Sequence, residues 1–249
     1  MFPLNTPYLP PTLGPGLRPE IANVFFDDFN DGLGFLTNNP SVASSQGKFS
    51  ELANMGNWLV TVVDGGGDNG ETIVQADDEP GGVITFTTND ANNDGLNIQL
   101  NGEAFKVASE KDIFFGCRFK IPSAITTLAW FVGLAQTDTT ILAGTTERIG
   151  FGSNGLDAGD ASIFYFVEDA STETSADTGV DLVADTFVDV NFHVRSSGHV
   201  VIAVDGAKKA QVTTNIPVGD AMTLSIALQN DAAAATAFEV DYILCCQSR

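Results

Sequence analysis

The sequence predicts an all-β fold, two antiparallel sheets packed face to face as a sandwich, with an extended proline-rich arm in front of it. Three observations carry this prediction. Apolar and β-branched runs recur at short intervals from about residue 21 to the end, with Gly, Asn and Asp between them. Several runs alternate apolar and polar side chains with a period of two, which gives a strand one dry face and one wet face. Finally, six of the ten prolines fall within residues 1–20.

The arm comes first in the chain. Proline fixes φ and removes a backbone donor, so residues 1–20 can form neither a helix nor a central strand. They read as an extended, partly polyproline-II segment. It carries Phe2, Leu4, Tyr8, Leu9, Leu13 and Leu17, side chains that lose by standing in water. The expected role is docking along a neighbouring subunit or along the chain's own body. The alternative is a frayed terminus.

Residues 21–249 then read as one β-sandwich domain. The expected strands are Val24–Phe29, Trp58–Val63, Thr72–Ala76, Gly82–Thr88, Leu96–Leu100, Ile113–Ile121 and Leu128–Ala135. Arg148–Gly152, Ser162–Glu168, Phe187–Arg195, His199–Val204, Lys208–Thr214, Met222–Gln229 and Ala237–Leu244 follow. Alternation is clearest from Val83 to Thr88 and from Phe187 to Val194. Turn signals separate the runs at Asp64-Gly65-Gly66-Gly67, Asp94-Gly95, Asn154-Gly155, Ser197-Gly198 and Asp205-Gly206. Only Ser44–Asn57 hints at a helix.

Composition bounds the function. Of 249 residues, 43% are hydrophobic and 18 are Phe, enough for a real core. Eleven Lys and Arg face 32 Asp and Glu, a net charge of -21. A protein that holds nucleic acid through its phosphates needs clustered bases, so this balance excludes that class. It also argues against docking on anionic lipid. No apolar run is long enough to span a bilayer. Prolines break any leader-like apolar stretch before Arg18, so synthesis and initial residence in a cytoplasm are expected. Cys117, Cys245 and Cys246 make a poor disulfide framework and lack zinc-ligand spacing, so they read as small buried hydrophobes.

Several segments, taken in order, resemble a known family. Phe26-Asp27-Asp28-Phe29 opens the body. Gly81-Gly82-Val83-Ile84-Thr85-Phe86-Thr87 and Phe114-Phe115-Gly116-Cys117-Arg118-Phe119-Lys120-Ile121 follow. Trp130-Phe131-Val132-Gly133-Leu134, the Val204-Asp205-Gly206 hairpin and a closing Val240-Asp241-Tyr242-Ile243 complete the set. They resemble concanavalin-like (laminin-G/lectin-type) jelly rolls. Within that group the chain is similar to virion proteins of tailed bacteriophages, of the head decoration or cement type. That resemblance implies a non-enzymatic structural protein on the outer surface of the head, made in the host cytoplasm. Its partners would be the major capsid protein and its own copies, as a homotrimer, with the arm making the contacts. A tail or neck position is an alternative. So is a carbohydrate-binding, lectin-like module on the same fold, possibly calcium-dependent, that touches host glycan.

Chemistry adds few candidates. Glucanases of this fold carry Glu-x-Asp-x-x-Glu on one strand. Here Glu239 and Asp241 stand on one strand face, but Leu244 occupies the third position, so two-carboxylate hydrolysis is not expected. Asp90-Ala91-Asn92-Asn93-Asp94-Gly95 matches the opening of a calcium loop, with Asp90, Asn92 and Asp94 as ligands and Gly95 allowing a sharp turn. However, Asn101 stands where the closing Glu belongs, and the same residues suit a plain β-turn. Asp64–Gly70 is a weaker candidate of the same kind. His193 and His199 are the only histidines and are expected as a cross-strand surface pair. Trp58, Trp130, Tyr8, Tyr165 and Tyr242 could stack on sugars, although Trp130 sits in an apolar run that reads as core. No cofactor other than calcium is expected.

Overall fold

The structure is a computed structural model that describes residues 22–27, 58–63, 70–76, 82–144 and 147–248. The arm residues Phe2, Leu4, Tyr8, Leu9, Leu13 and Leu17, the Ser44–Asn57 segment and the glycine run from Asp64 lie outside the described residues.

Sixteen strands are described. They are β1 (Ala22–Asp27), β2 (Trp58–Val63), β3 (Thr72–Gln75), β4 (Ile84–Thr87), β5 (Gly95–Leu100), β6 (Phe105–Lys106), β7 (Ile113–Lys120) and β8 (Leu128–Ala135). Next come β9 (Arg148–Gly152), β10 (Ser162–Asp169), β11 (Thr172–Asp181), β12 (Val188–Arg195), β13 (His199–Val204), β14 (Ala207–Val212), β15 (Ala221–Asn230) and β16 (Ala237–Ser248). They form two antiparallel sheets. Sheet A runs β14-β13-β12-β7-β16-β4-β3, with β1 also on β16. Sheet B runs β11-β10-β9-β8-β15-β5-β2, with β6 also on β15. The chain crosses from sheet A to sheet B between β7 and β8, returns between β11 and β12, and crosses twice more around β15.

The two-residue period builds the core directly. On sheet B, Leu96, Ile98 and Leu100, then Leu128, Trp130, Val132 and Leu134, then Met222, Leu224, Ile226 and Leu228 all face inward. Sheet A answers with Phe115, Cys117 and Phe119, with Val190, Phe192 and Val194, and with Phe238 and Val240. Aromatic packing joins the layers: the Phe119 ring lies 4.8 Å from Phe238 and 4.9 Å from Trp130. Burying one such ring stabilises the fold by roughly 1.5–3 kcal/mol. Trp130 is therefore core, as the apolar run implied, and Trp58 is buried with its ring edge against Phe25.

The bulge at Asp241 changes the phase of β16. Val240 pairs with Phe119 and Tyr242 with Arg118, so Asp241 is an extra residue. Before it, Phe238 and Val240 point inward; after it, Ile243 and Cys245 do. Tyr242 consequently joins Asp241 on the outer face. Leu244 and Cys246 follow there, packing with Phe114 and Val24. All three cysteines are free and buried. Burial pushes the thiols of Cys117 and Cys245 well up and that of Cys246 up to about 12, so none offers a ready thiolate.

Two expectations need correction. Strands β6 and β11 were not expected. His193 is not on the surface but 1% exposed, on the outer face of β12 opposite Val201. Four acidic residues, Glu71, Asp94, Glu147 and Glu168, are buried.

Candidate functional site

The loop nominated for calcium ties itself to β15. The Ala91 N–H donates to Asp94 Oδ2 at 2.9 Å, and the Asp94 N–H returns to the Ala91 carbonyl at 3.3 Å. Asn93, at φ 69°, donates its N–H to the Asn230 carbonyl, and Asn230 donates back to the Asp94 carbonyl, both at 2.9 Å. Asp94 is buried, while Asp90 and Asn92 are exposed. Gly95 serves a close strand approach: a Cβ there would lie 2.2 Å from the Leu228 carbonyl oxygen.

The acidic pair on β16 is outward, as the period predicts, and held by cations. Glu239 lies 3.2 Å from Lys120, which also pairs with Asp185 at 2.8 Å. Asp241 pairs with Arg118, and the Phe187 ring lies beneath both cations, 4.5 Å from Arg118 and 4.9 Å from Lys120. Tyr242 donates its hydroxyl to Asp189 at 2.7 Å. Burial raises the Asp189 carboxyl, helped by Asp205 and Asp241, against the Tyr242 hydrogen bond and Arg118. Glu239, Asp241 and Asp189 are thus each engaged with a neighbouring cation or hydroxyl. The histidines are likewise divided: His193 faces Asp112, whereas the Ser197 hydroxyl meets His199 Nδ1 at 3.1 Å.

A different acidic group assembles at one end of sheet B. Glu147 immediately precedes β9, Asp169 ends β10 and Asp220 precedes β15. The antiparallel register brings the three together: Thr223 pairs with Ala135, Ala135 with Arg148, and Arg148 with Glu168. One carboxylate oxygen from each lies within 4.8 Å of the others. Oxygens on opposite sides of a calcium ion stand about 4.6–5.2 Å apart, so the three fit around one hard cation. Such an ion takes 6–8 oxygens, which leaves positions for water, carbonyls or ligand hydroxyls. Glu147 is buried and the two aspartates half-buried. Beside them Arg148 is clamped by Glu168 at 2.7 Å and Glu173 at 2.6 Å, over the Phe166 ring. Burial raises the Glu168 carboxyl, with Glu173 and Glu147 adding to the rise and Arg148 opposing it. This end of the sheet therefore concentrates negative charge.

The outer face of sheet B runs up to that cluster. Its centre is small: Gly133 and Gly150 leave room for the Phe131 ring, and a Cβ on Gly150 would stand 2.7 Å from it. Phe166, Leu156, Ile141 and Ala227 complete an apolar patch with Phe131. So Phe164 and Phe166 face this outer patch, while Tyr165 packs against the main core, and both faces of β10 are apolar. Towards β5 the same face turns polar, with Asn97, Gln99 and Ser225 all buried. The segment after β8 crosses them.

No single stretch of sequence announces the Glu147–Asp169–Asp220 group. The three acids lie at the ends of separate strands, and only the strand order joins them.

No protein-family profile matches the chain, and no curated protein matches its sequence. Solved structures do match in fold. An endo-1,3-beta-glucanase from Streptomyces sioyaensis aligns at TM-score 0.60 with 11% identity, over 93% of this chain and 98% of that one. The carbohydrate recognition domain of Emp47p aligns at 0.57 with 13% identity, over 92% and 98%. A protein of unknown function from Shewanella oneidensis MR-1 aligns at 0.55 with 14% identity, over 92% and 87%. The fold is a concanavalin-like β-sandwich. At these identities the likeness reaches the fold alone, and the fold hosts both an enzyme and a recognition domain.

Proposed function

We propose that this chain is a non-catalytic carbohydrate-binding module, with a divalent cation held by Glu147, Asp169 and Asp220 supporting glycan contact at the adjoining outer face of sheet B. The convergence of three carboxylates from three separate segments carries the reading. A hard cation there would relieve their mutual repulsion and leave coordination positions that sugar hydroxyls can fill. The chain's likeness in fold to a carbohydrate recognition domain supports it. A non-catalytic role is supported by Glu239 and Asp241, each engaged by a cation on sheet A.

The capsid-cement reading rests on arm residues 1–20, which lie outside the described residues. The glycan reading has described geometry behind it and is preferred. It is tested by retention of the full chain on immobilised polysaccharides in calcium and in EDTA. Retention that requires calcium supports the proposal; equal retention, or none on any matrix, contradicts it.

A further inference from the structure

We propose that Gln136–Thr140 is an autoinhibitory strap over a binding row of Asn97, Gln99 and Ser225, and that the row takes uncharged, hydroxyl-rich glycan. This rests on the glycan-binding reading above and describes how access to that face is regulated. Asn97 and Gln99 stand two residues apart on one face of β5, about 6.8 Å along the strand. Ser225 pairs with Gln99 from β15.

Backbone groups of the strap satisfy Asn97 and Gln99 in this row, while the Ser225 hydroxyl donates to the Thr223 carbonyl at 3.1 Å. Gln99 Nε2 donates to the Gln136 carbonyl at 3.0 Å and to the Ser225 hydroxyl at 2.9 Å. Gln99 Oε1 accepts the Asp138 N–H at 2.9 Å. The Asn97 amide donates to the Thr139 carbonyl. Obligate, permanently closed contacts are typically apolar. An amide buried beneath a lifting cover loses little, because water takes over its hydrogen bonds.

The two halves of the β8–β9 connection differ in this respect. Ile141 is fully buried in the apolar patch with Phe131, Leu156 and Phe166. None of the side chains from Gln136 to Thr140 is buried. Further ties of this stretch include the Thr137 N–H to Glu103 Oε1 at 2.9 Å, the Gln136 N–H to the Glu147 carbonyl at 3.1 Å and the Ala143 N–H to the Thr140 carbonyl at 2.9 Å. The polar half is therefore the part able to lift, with Ile141 and the end of β8 as its fixed points. Each amide of the row offers both a donor and an acceptor, which suits a hydroxyl that is also both, and the row itself carries no charge to select a charged sugar. Glu147, one of the three clustered acids, closes the same β8–β9 connection, so a cation there fixes the root of the strap.

The test compares the wild type with a chain in which residues 137–140 are replaced by four glycines, alone and combined with Gln99→Ala. The readout is affinity electrophoresis through gels containing neutral probes: a β-1,3-glucan, a galactomannan and dextran. If the open state is a minor population near a tenth, the glycine variant gains about tenfold in apparent affinity on at least one probe, and Q99A removes the gain. A folded glycine variant that binds no better than wild type on every probe overturns the proposal, as does a gain that Q99A leaves intact. Hydrogen exchange of the wild-type Asp138 amide supplies a measurement that needs no variant. Exchange through local opening, insensitive to low denaturant, is expected; exchange with the same denaturant dependence as Ile226 means the strap does not lift, and overturns the proposal. This exchange result concerns the strap alone, so its failure is separable from failure of glycan binding by the intact chain.

Discussion

Nε2 of the buried His193 lies 3.4 Å from Oδ2 of Asp112, at a point where three chain segments meet. The other Asp112 oxygen accepts the Ser196 N–H at 2.6 Å, holding the β12–β13 turn. The Asp112 backbone exchanges hydrogen bonds with Ser248, donating to its hydroxyl at 2.8 Å and accepting its N–H at 3.0 Å, which fastens the end of β16.

This junction predicts acid sensitivity in two windows. Burial lowers the affinity of His193 for a proton, and Arg195 and His199 add to this, against the opposing pull of Asp112. The unfolded chain then binds the proton more readily, so the stability is present above the ordinary histidine value near 6.5 and is lost as pH falls below it. Burial would raise the Asp112 carboxyl, but the Ser196 hydrogen bonds and His193 outweigh it and hold it low. Its contribution is lost only as pH falls below the ordinary carboxylate range. Melting temperature should drop between pH 7.5 and 5.5 in the wild type, and His193→Gln should flatten that window while keeping the loss below pH 4. An unchanged profile in the variant would sink the assignment.

Calcium should stabilise the fold through the cluster at the end of sheet B. At a concentration 100 times the dissociation constant, binding to the native state alone contributes about 2.7 kcal/mol. For a chain of this size that is a rise of roughly 5–10 °C in melting temperature over EDTA. Glu147→Gln should abolish most of the rise. A thermal scan in which wild type and variant respond alike would show that the ion binds elsewhere.

Packing on the outer face of sheet B leaves no room at Gly133. A Cβ there would lie 2.3 Å from the Ile149 carbonyl oxygen and 3.0 Å from the Phe131 ring. Gly133→Ala should cost about 1–3 kcal/mol or more, read as a lower denaturant midpoint at unchanged slope. A neutral result would mean that β8 and β9 can separate without penalty.

The Tyr242 hydroxyl donates a hydrogen bond to Asp189 across the β16–β12 face. Tyr242→Phe should lower stability by about 1–2 kcal/mol, since the acceptor is a carboxylate kept partly dry. Urea unfolding of the two proteins measures this directly, and a more stable variant would contradict the assignment.

Legibility of the fold followed the chemistry of each segment. Where one face is dry and the other wet, as from Val188 to Arg195, side-chain alternation marks the strand. The strand β11, Thr-Glu-Thr-Ser-Ala-Asp-Thr-Gly-Val-Asp, lies at the edge of sheet B with most side chains in solvent, so it carries no apolar period. The sequence predicts the last strand as Ala237–Leu244, whereas β16 runs on to Ser248 with its inward phase shifted by one residue at the Asp241 bulge. Site residues behaved differently again. Asp90, Asn92 and Asp94 advertise a calcium loop because they are neighbours in sequence, and within that loop the Asp94 carboxylate accepts the Ala91 N–H. Glu147, Asp169 and Asp220 are far apart in sequence and become neighbours only through the order β10-β9-β8-β15. The gate over Asn97 and Gln99 was equally hidden, since nothing in a strand's own sequence tells which loop covers it.

The most direct measurement of the account is a glycan array probed with the full chain in calcium, in EDTA, and with Glu147→Gln and Asp220→Asn. Binding to one or more glycans in calcium is predicted, with loss in EDTA and in both variants while their folding remains cooperative. Binding that survives EDTA and both substitutions, or the absence of binding to any glycan, would contradict a cation-supported carbohydrate module.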